Sequence, residues 1–223
     1  MSHFIGDAVD VRITGESAVY ATARSTATYH IASGNLRVGQ AQAPGGSPYY
    51  VYRSYLYFDT SAIPGGDTVT AATLAVKVAV DKSTTDFNLK VYVYDWKPVT
   101  SGTRDDVFDL GIPGSIGGVA GLLIAAASST SGKVAGTWHT LALAGAPELA
   151  GIIKGGISRF ALRSDRDIAN TPSDIANEYQ EFYEGSVSGP NSPYLEVVHR
   201  SETGYRLTKL RAQGIMTGPF TPF

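Results

Sequence analysis

The longest regular alternation in the chain runs from Tyr49 to Val80, YYVYRSYLYFDTSAIPGGDTVTAATLAVKVAV. Tyr50, Tyr52, Ser54, Leu56 and Phe58 fall on one face of an extended backbone, and Val51, Arg53, Tyr55 and Tyr57 on the other. Aromatic and β-branched side chains suit a pleated surface, so a long strand is predicted. Ile63-Pro64-Gly65-Gly66-Asp67 ends it, because proline lacks a backbone donor and glycine accepts a positive φ. A second strand follows, with Leu74, Val76, Val78 and Val80 opposed to Ala75, Lys77 and Ala79. A third places Leu89, Val91 and Val93 against Lys90, Tyr92 and Tyr94.

Shorter segments flank this block. Val9, Val11 and Ile13 alternate with Asp10 and Arg12, and Ala18 to Arg24 (AVYATAR) is predicted as another strand. Thr26 to Ile31 and Leu36 to Val38 are strands around the turn Ser33-Gly34-Asn35. Further on, Trp138 to Leu143, Ile157 to Arg163, Glu178 to Glu184 and Tyr194 to Val198 are strands, and Asp165 to Ala176 is a polar loop. One helix is predicted, Ala146 to Lys154, with Pro147 near its start and Gly155 as its stop. Residues 99–137 are rich in Gly and Ser and read as an insertion around the apolar patch Val119 to Ala127, a short strand or a short helix. Many short strands with turn punctuation predict an all-β fold, a β-sandwich over residues 1–200. Residues 201–223 carry Tyr205, Leu207, Leu210, Ile215, Met216, Phe220 and Phe223 with no place in a sheet. They are expected to form an extended assembly arm lying across a neighbouring subunit, and Met1 to Gly6 is expected to do likewise.

Composition narrows the function classes. The chain has 223 residues and a net charge of −2, a balance that offers no electrostatic case for nucleic acid. Charged residues are 17%, below the roughly 25% of typical globular chains, while 43% are hydrophobic, enough for a core. Cysteine is absent, which excludes disulfides, thiolate metal sites and thiol nucleophiles together. MSHFIGDAVDVRI lacks the basic start and apolar run of a secretory signal, and the Val119 to Ala127 patch is far short of the ~20 residues a spanning helix needs. The expectation is a protein made in the cytoplasm, with no membrane partner.

Candidate chemistry is sparse. His3, His30, His139 and His199 are scattered without zinc-helix spacing, and there is no nucleophile elbow, phosphate loop or dinucleotide fingerprint. No catalytic residue is expected. Asp165, Asp167 and Asp174 share one polar stretch, which either holds a calcium ion or is a solvated loop with Arg163 and Arg166 as counter-charges. Glu178, Glu181 and Glu184 invite comparison with a glycosidase pair, but strand parity puts Glu181 on the opposite face, and charge on an edge strand deters unwanted pairing. Tyr49, Tyr50, Tyr52, Tyr55 and Tyr57 are a candidate sugar-stacking platform, with Tyr49, Tyr50, Tyr55 and Tyr57 as the glycan contacts, since an aromatic face packs on a pyranose; the alternative is core and cross-strand packing, which at least one face of this strand must provide.

Three segments carry a family resemblance. Arg53-Ser54-Tyr55-Leu56-Tyr57-Phe58-Asp59-Thr60-Ser61-Ala62-Ile63-Pro64, followed by Val69-Thr70-Ala71-Ala72-Thr73-Leu74, is the first. Trp138-His139-Thr140-Leu141 is the second. Phe160-Ala161-Leu162-Arg163-Ser164, through Glu181-Phe182-Tyr183-Glu184 to Ser192-Pro193-Tyr194-Leu195-Glu196-Val197, is the third. In this order they resemble the DNRLRE-type domain family, a jelly-roll β-sandwich related to carbohydrate-binding modules. The resemblance implies the fold and no catalytic residue. Its members occur in secreted polysaccharide-related enzymes and in structural proteins of tailed bacteriophages. Without a secretory signal, this chain is expected in the second context: a virion protein on capsid or tail, partnered by other virion proteins and copies of itself, with surface glycan as a further contact.

Overall fold

A computed structural model describes residues 1–7, 9–32, 34–94, 96, 99, 107–108, 122–173, 177–185 and 189–201. Among them are twelve strands: β1 Ser2–Ile5, β2 Val11–Ser17, β3 Tyr29–Ile31, β4 Leu36–Gln42, β5 Tyr49–Asp59, β6 Asp67–Asp81, β7 Asn88–Val93, β8 Leu122–Ser129, β9 Trp138–Leu143, β10 Ile157–Ser164, β11 Asn177–Phe182 and β12 Tyr194–Ser201. Three short helices accompany them, α1 Tyr20–Ser25, α2 Ala146–Ala150 and α3 Asp165–Ile168. None is long and apolar enough to cross a membrane.

The fold is an all-β sandwich with every strand pair antiparallel. One layer is β1, β12, β6 and β9. The other runs β8, β7, β10, β5, β2, β3. β6 is long enough to turn the corner: residues between Asp67 and Lys77 pair with β12 or β9, while Val78, Val80 and Asp81 pair with β11, which leads through β4 to the first residues of β5. Leu56, Phe58, Leu74, Val76, Leu89, Val91, Phe160, Leu162, Phe182 and Leu195 fill the space between the layers. The predicted alternation of β5, β6 and β7 therefore holds for these residues, while Val80, predicted on the same face as Val78, is half-buried beyond a register shift against β11.

β5 is buried on both faces. Leu56 and Phe58 face the main core, while Val51 and Tyr55 join Ile13, Tyr20, Ala23, Tyr92, Trp96 and Phe108 in a second cluster outside the layer. That second cover explains why a strand with an arginine at its centre shows almost no exposed position between Val51 and Leu56.

Several expectations are corrected. Ala18 to Arg24 is not a strand: α1 occupies it, and its buried residues Tyr20, Ala23 and Arg24 are spaced i, i+3, i+4, the stripe of a helix. The polar stretch from Asp165 opens with α3, whose first turn is capped by Ser164 Oγ accepting from Asp167 N at 3.1 Å. α2 is shorter than predicted, ending at Ala150. β11 is not an edge strand, since β4 and β6 flank it. Ser2–Ile5, expected to reach another subunit, pairs with β12 of its own layer, and Phe4 is buried there. The apolar patch resolves as strand from Leu122. The assembly arm, including Tyr205, Leu207, Leu210, Ile215, Met216, Phe220 and Phe223, lies outside the described residues, as does Asp174.

Candidate functional site

Sheet register builds a surface that no single strand contains. Thr14 lies opposite Tyr29 on one side and Tyr52 on the other. Gly39 lies opposite Tyr52 on one side and Tyr179 on the other. Tyr29, Thr14, Tyr52, Gly39 and Tyr179 thus form one lateral row across five strands, with a large ring at every second place and a small residue or none between. Gly39 is required here. Its φ is +124°, and a Cβ would stand 2.2 Å from the Glu178 carbonyl oxygen and 2.7 Å from Tyr179 Cα. With no side chain at that place, the Tyr52 and Tyr179 rings lean together to 5.2 Å between centroids. Tyr50, next on the same face of β5, lies parallel to Tyr52 at 6.3 Å.

Polar groups rim the row. The Arg37 guanidinium sits over both rings, 4.8 Å from Tyr52 and 4.4 Å from Tyr179. It pairs with Glu181, which also accepts from Asn35 Nδ2 at 3.1 Å. Arg12 Nη1 donates to the Asn35 carbonyl at 3.2 Å. Burial and the nearby Arg37 charge lower the Arg12 pKa, and burial pushes the Tyr52 phenol up to about 12. Tyr52 is buried as the floor of the row, whereas Tyr29 is exposed and Tyr50 and Tyr179 are half-buried.

Of the predicted platform tyrosines, Tyr50 and Tyr52 lie here, Tyr52 as its buried floor. Tyr55 is 1% exposed and its hydroxyl donates to the Val107 carbonyl, so it belongs to the core. Tyr49 packs edge-on against Tyr20, and Tyr57 lies under the Arg159 guanidinium, both against the second cluster. The odd positions of β5 face inward at this end, which removes Tyr49, Tyr55 and Tyr57 together.

The calcium proposal meets a different use of its central carboxylate. Asp167 is fully buried and accepts from Arg53 Nε at 2.8 Å and Nη2 at 2.9 Å, from Arg163 Nε at 2.8 Å and from Arg24 Nε at 3.2 Å. Burial alone would raise its pKa; the Arg53 and Arg163 charges and hydrogen bonds outweigh that and hold it well below the usual carboxylate range. Its oxygens are committed to guanidiniums. Asp165 instead accepts from Asn88 N and Nδ2, beside a recess of about 390 Å³ lined also by Asp86, Phe87, Arg166 and Thr171. Among the described residues no group of three His, Asp or Glu side chains is placed to hold a metal. The Arg–Asp cluster also gives the arginine at the centre of β5 its role: Arg53 of β5 and Arg163 of β10 meet on one carboxylate, with Arg53 stacked 4.1 Å from the Phe108 ring.

The glutamates are likewise spoken for. Glu178 is buried against Arg166 Nη1 at 3.0 Å and Gln40 Nε2 at 2.8 Å, and Gln40 in turn accepts from the Tyr20 hydroxyl. A charge is tolerated on this interior strand because partners neutralise it. His139, also buried, bonds Ser128 Oγ at 2.8 Å and Gln180 Oε1 at 2.9 Å, and burial pushes its pKa down to about 4. His3 packs on Tyr194, and His199 bridges two residues from other strands.

Compared with known proteins, the chain matches no family model and no curated protein.

Proposed function

We propose that this chain is a structural β-sandwich module of a tailed-bacteriophage particle, attached to the capsid or the tail, whose tyrosine row contacts surface glycans. The tyrosine row is the observation that carries the reading. A pyranose presents C–H faces that pack on aromatic rings, and Tyr29, Tyr50 and Tyr179 offer such rings along one sheet face. Arg12, Glu16, Asn35, Arg37 and Glu181 supply donors and acceptors for hydroxyl groups around them. The particle context rests on the resemblance of the Arg53 to Pro64 segment and on the apolar side chains among residues 202–223, which would anchor the module to other virion proteins and to its own copies during assembly in the host cytoplasm.

The same row favours a second reading, a carbohydrate-binding module acting free in solution. Mass spectrometry of purified particles and a glycan array probed with the purified chain separate the two. Stoichiometric presence in particles together with array binding is the expected result. A chain absent from particles that still binds the array is the free module, and a blank array removes the glycan contact. Removing residues 202–223 should leave the sandwich folded and abolish incorporation; normal incorporation would refute the anchoring role.

A further inference from the structure

At one end of the β1–β12–β6 layer, three neighbouring strands each turn one polar side chain toward the same point. Ser2 Oγ lies 2.8 Å from His199 Nε2, and His199 Nδ1 lies 2.7 Å from Asp67 Oδ2. Ser2 continues the inward side of β1 set by Phe4, and His199 that of β12 set by Leu195 and Val197. A register shift at Val198 and His199 brings His199 level with Val69, beside Asp67. The imidazole and carboxylate side chains are only 15% and 11% exposed. Ser2 is half-buried and stands on a strand that pairs with β12 alone among the described residues.

The proton arrangement follows from donor chemistry. A carboxylate only accepts, so the proton on the short Asp67 contact belongs to His199 Nδ1. In the neutral ring Nε2 is then the lone-pair nitrogen, and the Ser2 hydroxyl must donate to it. A base held in this tautomer by a carboxylate and bonded to a hydroxyl is the relation that activates a serine, whatever the fold that supplies it.

We propose that Ser2, His199 and Asp67 form a nucleophilic relay that accepts acyl groups from small activated carboxylic esters at the open edge. Ser2 Oγ attacks the ester carbonyl carbon while its proton passes to His199 Nε2. The bond from carbon to the leaving oxygen breaks, and the leaving alkoxide takes that proton. Water, deprotonated by the same nitrogen, then releases the carboxylic acid and restores Ser2. Overall one ester and one water yield one acid and one alcohol. Asp67 is a positioning residue, holding the tautomer. This activity is separate from the tyrosine row and does not depend on it.

The test uses the full chain with a fluorophosphonate probe, followed by intact-mass measurement and peptide mapping, and with p-nitrophenyl acetate. Wild type should carry a single adduct on Ser2, formed at least tenfold faster than any on exposed serines such as Ser61 or Ser131. Ser2→Ala should lose it, and Asp67→Asn, checked for folding by circular dichroism, should form it at least tenfold more slowly. An adduct rate at Ser2 no greater than at Ser61, or one unchanged in folded Asp67→Asn, would overturn the relay and leave these residues as a stitch between strands. The first of these outcomes is read on the wild type alone, so it stands even if a variant fails to fold.

Discussion

Replacing Asp167 by Asn keeps the volume of the side chain and removes its charge, leaving the guanidiniums of Arg53 and Arg163 buried without a counter-ion. Both have side chains at most 1% exposed, so water cannot take over. Removing one partner of a buried pair costs about 3–5 kcal/mol, a large share of the roughly 5–15 kcal/mol that holds a domain folded. At about 2–4 °C per kcal/mol for a chain of this size, the melting temperature should fall by roughly 6–20 °C. Urea unfolding followed by the fluorescence of Trp96 and Trp138, the first buried with its indole N–H donating to the Leu56 carbonyl at 3.2 Å, reports the same loss. The pH dependence has a definite sign. Because the folded carboxyl is held below its ordinary value of 3.8, its contribution is fully present above that value and is lost only as the pH falls below it toward the folded one. The difference between wild type and variant should therefore be constant from neutral pH down to about 4.5. A loss under about 1 kcal/mol, or a difference that has already vanished at pH 5, would refute the account of Asp167 as the anchor of three arginines.

Other consequences follow from particular residues. His139 is held neutral by burial, so stability should decline as pH falls from 6.5 toward about 4, by on the order of 3 kcal/mol in total, and a His139→Gln variant should lack this slope in matched urea titrations. Gly39→Ala forces a side chain into a left-handed backbone against the Glu178 carbonyl; it should cost at least about 1–3 kcal/mol by thermal unfolding and part the Tyr52 and Tyr179 rings, whereas an unchanged melting temperature would show that the row does not need the gap. Arg53→Lys keeps the charge but loses the two-pronged contact with Asp167, and should be destabilising rather than neutral in the same unfolding assay.

Local alternation carried the strands well, because β5, β6, β7, β9, β10 and β12 have their hydrophobic positions set by a period of two that needs no knowledge of neighbours. It misled at α1, where AVYATAR admits both a strand alternation and the helical spacing of Tyr20, Ala23 and Arg24. α3 was legible in principle, since Ser164 and Asp167 have the spacing of a helix-capping pair. The sites were not legible. Tyr29, Tyr52 and Tyr179 become neighbours only once the lateral order of β3, β2, β5, β4 and β11 is known, and parity within β5 alone does not say which of its faces stays open. Arg53 and Asp167 are 114 residues apart, and Ser2 and His199 are 197 apart, so no spacing rule along the chain connects them.

The most direct test of the proposed function is calorimetric titration of the purified chain with the glycan that the array selects. Wild type should bind it, and a Tyr50→Ala/Tyr179→Ala double variant with an unaltered melting temperature should bind at least tenfold more weakly. Equal affinity in the two proteins would contradict the assignment of the tyrosine row as the contact surface.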